Sequence, residues 1–213
     1  LISKNGLTLL QPTSNKMNRI FILIALLQCS FLFNLAAQAR EDLYDGPYVF
    51  TTEDSLRIRW ISAGQAHDTT ILRADADLIT EDGLPQVDLT NLDLLPAPET
   101  AYEDNGKVVA LSDVHGQFDV MIELLKNHNI IDAEGHWAYG DGQLVILGDN
   151  MGRGDKVTEI LWFLFFLEKE AAAVGGKVHV TLGNHEVMVI TGDLRYIHRK
   201  YVLTSALFTE PYQ

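Results

Sequence analysis

A chain of 213 residues that is 47% hydrophobic and 21% charged has the balance of a folded protein of about one domain, which excludes a disordered or low-complexity chain. Its formal net charge of −13, with no cluster of lysine and arginine to offset it, repels a nucleic-acid backbone, so no nucleic-acid partner is expected. The single cysteine, Cys29, excludes a disulfide framework within the chain.

Residues 1–16 show no apolar periodicity and read as upstream translated sequence ahead of Met17. From Met17 the pattern is that of a secretory signal over residues 17–39. Arg19 gives a positive start, Ile20–Leu27 an apolar stretch, and Ala37-Gln38-Ala39 a small-x-small cleavage site. The mature chain then begins near Arg40, carries 13 basic residues against 29 acidic, and is expected to be periplasmic or secreted with no stable membrane anchor. A retained anchor is the other reading, but Gln28, Ser30 and Asn34 interrupt the apolar run and no positive cluster follows. Lipidation at Cys29 is disfavoured by the bulk of Gln28 before it.

Residues 40–106 read as a β-rich extension followed by an acidic linker. Tyr48–Ile61 alternates apolar and polar residues on either side of Glu53-Asp54-Ser55, which predicts two strands and a turn, and Thr69–Arg73 is a third candidate strand. Ala74–Gly106 is acidic, contains Pro85, Pro96 and Pro98, and reads as a connector.

From Lys107 the pattern changes. Val108–Leu111 is a short buried strand, Phe118–Asn127 has helical spacing through Val120, Ile122, Leu124 and Leu125, and Leu144–Leu147 is a second buried strand. A helix over Asp155–Val174 and a strand over Lys177–Leu182 complete a βαβαβ order, which predicts an α/β domain with a parallel sheet and right-handed crossovers. The run Leu161–Leu167 (LWFLFFL), bounded by Glu159 and Glu168, is too short to span a bilayer and predicts a helix buried on most of its faces.

Each strand of that sheet ends in a polar, glycine-bearing motif: SDVHG at Ser112–Gly116, GDNMGRG at Gly148–Gly154, GNHE at Gly183–Glu186. Ligands of open α/β sheets bind at the carboxyl ends of the strands. If extended geometry continues past Leu111, Asp113 and His115, two apart, leave on one face. With Asp149 and Asn184 they offer carboxylate, imidazole and amide donors, a set suited to two divalent ions such as Mn, Fe or Zn, with a carboxylate able to bridge them. Such a pair clamps the attacking and leaving oxygens of a displacement at phosphorus and lowers the pKa of a bound water. Arg153 matches phosphate oxygens with its planar fork, and His185 is placed to protonate the leaving oxygen.

The order Asp-x-His-Gly, Gly-Asp-x-x-x-Arg-Gly, Gly-Asn-His-Glu resembles the calcineurin-like metallophosphoesterases, specifically their phosphoprotein-phosphatase branch. The stretch GNHEVMVITGDLRYI at Gly183–Ile197 is similar to the bacterial Shewanella-like protein phosphatases. The resemblance covers about Lys107–Lys200 and assigns residues 107–213 to a metallophosphoesterase domain. It implies a sandwich of β-sheets flanked by helices. It also implies Asp113 and His115 on the first metal, Asp149 bridging, Asn184 on the second, His185 as acid and Arg153 on phosphate. The implied activity is hydrolysis of phosphomonoesters by a metal-bound hydroxide, with phosphoproteins as a candidate substrate.

Two departures keep alternatives open. The family usually has Asp before the Arg of the second motif, where this chain has Gly152, so His185 lacks its usual orienting carboxylate unless Asp155 or Glu186 substitutes. The diadenosine tetraphosphatase relatives also lack that Asp, so hydrolysis of dinucleoside polyphosphates or other nucleotides is the alternative activity. The family also supplies further metal-ligand histidines well downstream of GNHE. His198 is expected to be solvated on a surface helix (RYIHRKY), His179 to lie in the third strand, and His67, His128 and His136 in loops or at a helix end. The domain is therefore expected to be partial and truncated at its carboxyl end, and a non-catalytic metal- or phosphate-binding fragment is the remaining alternative.

Overall fold

The computed structural model describes residues 42–73, 101–102 and 106–209, together with the helical positions 21, 22, 24 and 28. The upstream segment 1–16, most of the signal at 17–39 and nearly all of the connector 74–106 lie outside the described residues. No described helix is long and apolar enough to cross a membrane. The chain divides into two compact units, Leu1–Leu43 and Tyr44–Gln213, and the second holds the elements described below.

That unit opens with an antiparallel sheet in the order β1-β2-β3, with β1 at Asp45–Thr51, β2 at Ser55–Ser62 and β3 at Gln65–Leu72. The third strand starts four residues before its expected beginning at Thr69, because Ala63 (φ 49°) and Gly64 (φ 68°) make a two-residue turn with both residues left-handed. Such a turn matches the twist of the strands it joins, so Ser62 pairs directly with Gln65. His67, expected in a loop, consequently lies in β3, paired with Trp60 and stacked on its ring at 5.0 Å.

The second sheet is parallel, in the order β4-β5-β6: β4 at Val108–Leu111, β5 at Gln143–Ile146, β6 at Lys177–Val180. Helix α1 (Phe118–Asn127) connects the first pair and α2 (Val157–Ala173) the second. Because both crossovers advance the strand order in the same direction with the same hand, both helices fall on one face. There Met121 and Leu125 of α1 meet Leu144, Ile146 and Val178 of the sheet and Ile160, Phe163, Leu164, Leu167 and Ala171 of α2, all buried. Fully burying one such aliphatic side chain contributes about 1.5–3 kcal/mol.

Helix α2 serves two sheets. Its other side presents Trp162, Phe165 and Phe166 to Leu56 and Ile58 of β2, and the Trp162 indole donates to the Pro47 carbonyl at 2.9 Å. The LWFLFFL run is thus apolar nearly all round because both of its sides are packed. Two short helices follow β6: α3 at Asn184–Ile190 and α4 at Arg199–Phe208. The helix expected over RYIHRKY begins only at Arg199, with His198 as its N-cap, where the imidazole Nδ1 accepts from the Lys200 amide at 3.2 Å.

Candidate active site

Extended geometry stops at Leu111. Asp113 (φ 60°) and His115 (φ 48°) both have left-handed backbones, so the shared-face argument from their spacing gives way to two tight bends. Asp149 (φ 55°) and Arg153 (φ 61°) are left-handed as well. Only two other non-glycine residues described have positive φ, Ala63 and Asn129, so this costly conformation is concentrated in the motif loops.

Backbone hydrogen bonds hold it there. The loops after β4 and β5 are zipped together by His115 N to Asp149 O (2.9 Å), Gly116 N to Asn150 O (2.9 Å) and Gly154 N to His115 O (2.8 Å). The approach is close enough that a Cβ on Gly116 would sit 2.6 Å from the Gly154 carbonyl carbon, and one on Gly154 would sit 2.5 Å from Gly116 O. Only glycine fits at either position.

The third motif contributes the anchor. The buried carboxylate of Glu186 accepts four backbone N–H groups. Its Oε1 takes Asn150 (2.8 Å) and Met151 (2.9 Å), and its Oε2 takes Asp149 (2.7 Å) and Gly183 (2.8 Å). Burial works against its charge, yet the N–H donors of Met151, Asp149 and Gly183 prevail and hold its pKa below the ordinary value. Glu186 is therefore spent on the loop backbone rather than on orienting His185. Among the described residues neither it nor Asp155 makes a hydrogen bond to the His185 ring.

These anchors gather three ligand-type side chains. Nitrogen atoms of His115 and His185 and a carboxylate oxygen of Asp149 all lie within 4.8 Å of one another. The two imidazole rings are 4.4 Å apart, His185 is buried, and its backbone N–H donates to Asp149 Oδ1 at 2.8 Å. Asp113 stands outside this trio, exposed, with its Oδ1 accepting from Ser112 Oγ at 2.6 Å. Asn184 is exposed, at the first turn of α3, with its amide nitrogen 4.0 Å from Met188 Sδ. Arg153 projects outward; among the described residues it forms no ion pair, only a ring contact with its guanidinium 6.0 Å from the Tyr196 centroid.

The donor set fits divalent cations. His115 Nδ1 is 3.0 Å from the Met151 carbonyl, an atom that only accepts, so Nδ1 carries the hydrogen and Nε2 is left with its lone pair. This is the arrangement by which a backbone carbonyl sets the tautomer of a ligand histidine. Asp149 has one oxygen tied to the His185 amide and the other, among the described residues, without a hydrogen bond. Two features border these residues, the first expected from the second motif and the other not. Gly152 (φ 85°) lies against His185, such that a Cβ there would be 2.5 Å from Nδ1, and the Tyr196 ring lies 5.2 Å from the His185 ring on the loop before α4. Tyr196 falls within the quoted GNHEVMVITGDLRYI stretch, but nothing in its local pattern marks it.

Residues 106–211 match the family model for calcineurin-like phosphoesterase, and this part of the chain belongs to that family. Within it, the chain is 38% identical over 102 residues to Shewanella-like protein phosphatase 2 of Arabidopsis thaliana, covering 48% of this chain and 26% of that protein. It is 33% identical over 98 residues to Shewanella-like protein phosphatase 1 of Plasmodium berghei, covering 46% and 27%. Among solved structures, the cold-active protein-tyrosine phosphatase of a psychrophile Shewanella species matches with 39% identity and a TM-score of 0.68, over 79% of this chain and 51% of that one. That share exceeds what residues 106–211 make up, so the likeness continues amino-terminal to the family match. The chain spans about a quarter of the length of its curated relatives and about half of the solved structures.

Proposed function

We propose that the site is that of a metal-dependent phosphatase hydrolysing phosphomonoesters. The observation that carries the reading is the trio His115, Asp149 and His185 at mutual ligand distance, with the guanidinium of Arg153, unpaired among the described residues, on the same loop as Asp149. Asp113, His115, Asp149 and Asn184 would hold two divalent ions, of which manganese, iron and zinc suit the donor set. Bound there, the ions would supply Lewis acidity toward phosphate oxygens and toward water.

The chain's own residues do the rest. Arg153 receives two phosphate oxygens in its fork and so binds the substrate's phosphoryl group. His185 gives its proton to the oxygen that leaves. Glu186 and the interlocked glycines keep the ligands in place, so little reorganisation accompanies the reaction. Relatives named as protein phosphatases, including a protein-tyrosine phosphatase, favour a phosphoprotein substrate. Gly152, which leaves His185 without a carboxylate partner, favours dinucleoside polyphosphates as the second reading. The signal pattern at residues 17–39 supports a periplasmic or secreted location, with the β-rich segment 40–106 preceding the phosphoesterase domain in the mature chain.

The test is manganese-stimulated release of phosphate from p-nitrophenyl phosphate, followed by comparison of a phosphotyrosine peptide with diadenosine tetraphosphate. Asp149→Ala is expected to abolish release; turnover surviving that substitution would sink the proposal.

A further inference from the structure

Arg153 has no hydrogen-bonding side-chain partner among the described residues, so where its guanidinium points depends on what holds the backbone around it. On one side the hold is by backbone: its own N–H donates to the Tyr196 carbonyl at 2.6 Å, and Gly154 N to the His115 carbonyl at 2.8 Å. On the other side the hold comes from side chains of α4. The carbonyl of Asp155 accepts both Lys200 Nζ at 2.9 Å and Tyr201 Oη at 2.8 Å, and the same Tyr201 oxygen accepts the Val157 N–H at 2.6 Å. Burial pushes the Tyr201 phenol well above its ordinary pKa, so it remains a neutral donor.

Lys200 is in turn fixed by acids. Its side chain is 12% exposed, and Nζ lies 3.2 Å from Glu159 Oε1 and 3.5 Å from Asp45 Oδ1. The Asp45 side chain is fully buried, 0% exposed. It accepts from Tyr48 Oη at 2.6 Å, Thr158 Oγ1 at 2.9 Å and the Gly46 N–H at 3.1 Å. A buried ion pair contributes less to stability than apolar residues filling the same space, so packing of β1 does not account for this one. What it does fix is the position of one ammonium group against one carbonyl, two residues from Arg153.

We infer that Asp45 and Lys200 are positioning residues for Arg153: the first strand of the antiparallel sheet, acting through α4, sets the path of the phosphate-binding loop. The inference rests on the phosphatase reading for the role of Arg153. Helix α4 is suited to the task because it follows directly on the loop that offers the Tyr196 carbonyl. The sheet also grips its far end, where Arg59 donates to the Phe208 carbonyl at 3.3 Å and lies 4.3 Å from the Phe208 ring centroid. The sheet and α4 thus act on the Arg153 loop through its backbone.

The test compares the full chain with Lys200→Met and with the double variant Asp45→Asn/Lys200→Met. The double variant removes both charges together, so the fully buried position of Asp45 carries no unpaired ion if the single variant fails to fold. Three quantities are read: the thermal midpoint, amide hydrogen exchange of residues 152–156, and KM and kcat for p-nitrophenyl phosphate with manganese. In the double variant cooperative unfolding is kept, exchange of the loop rises about tenfold, and KM rises about tenfold with kcat nearly unchanged, the size and pattern of a lost charged hydrogen bond that served binding. Loop exchange unchanged in a folded double variant overturns the inference, as does a fall in kcat with KM unmoved. If loop exchange rises while even the unsubstituted chain never releases phosphate, the tether stands and the phosphatase reading is what fails.

Discussion

Replacing Glu186 by Gln exchanges one atom and should be among the most damaging isosteric changes available in this fold. Each carboxylate oxygen accepts two N–H groups, Asn150 and Met151 on one and Asp149 and Gly183 on the other. Whichever way the amide is turned, its NH2 faces two of these donors. Two charge-assisted bonds are lost, and two N–H groups at a buried site are left unpaired. At about 1.5–3 kcal/mol for each such bond, the expected destabilisation is about 3 kcal/mol or more after relaxation. The assay is guanidinium unfolding with a chelator present, so that metal binding adds nothing, at pH 7 and again near pH 4. Because the folded pKa of Glu186 lies below its ordinary value of 4.5, the stability it contributes is fully present above that value and is lost as pH falls through the folded pKa. The gap between the native protein and the Glu186→Gln variant should therefore be widest at neutral pH and narrow in acid. A difference under about 1 kcal/mol at pH 7, or one that does not shrink in acid, refutes the anchoring role of the carboxylate.

Gly152→Ala should destabilise by about 1–3 kcal/mol, since φ is 85° and the added Cβ meets His185 Nδ1 at 2.5 Å; thermal unfolding measures the loss, and turnover should fall with it. Leu144→Ala, at the fully buried centre of the parallel sheet, should lower stability by about 2–5 kcal/mol in denaturant titration with an unchanged fold by circular dichroism. His136 is held above its ordinary pKa, first by the hydrogen bond to Glu170 at 2.7 Å and then by that carboxylate's charge. Its small contribution is therefore present at low pH and lost as pH rises through the folded value, and Glu170→Gln should shift its NMR titration downward.

Much of the α/β part is legible in the sequence because short aliphatic runs and 3.6-residue spacing report burial directly. Val108–Leu111, Phe118–Asn127 and the helix beginning near Val157 are all visible there. What stays hidden depends on neighbours remote in the chain. The bends at Asp113 and His115 are stabilised by carbonyls of Asp149 and Asn150 and by a close approach to Gly154, so spacing alone wrongly continues the strand. The turn that starts β3 escapes notice because Ala63-Gly64 lacks the asparagine or aspartate usual in such turns. The role of Glu186 is partly readable, as an acid three residues after Gly183 at a helix start, where carboxylates reach back to free N–H groups. Asp45 gives no signal at all, since its donors Thr158 and Tyr48 and its neighbour Lys200 converge on it only in three dimensions.

The loops after three parallel strands bring ligand-type atoms of His115, Asp149 and His185 within 4.8 Å of one another, and everything proposed for the chain's chemistry depends on a cation being held there. Calorimetric titration of the purified chain with manganese, repeated on His115→Ala and Asp149→Ala, probes it without reliance on turnover. Saturable binding to the native chain should be lost in both variants while their far-UV spectra stay native. Binding that is absent from the native chain, or that survives both substitutions, would mean that these loops do not form a metal centre.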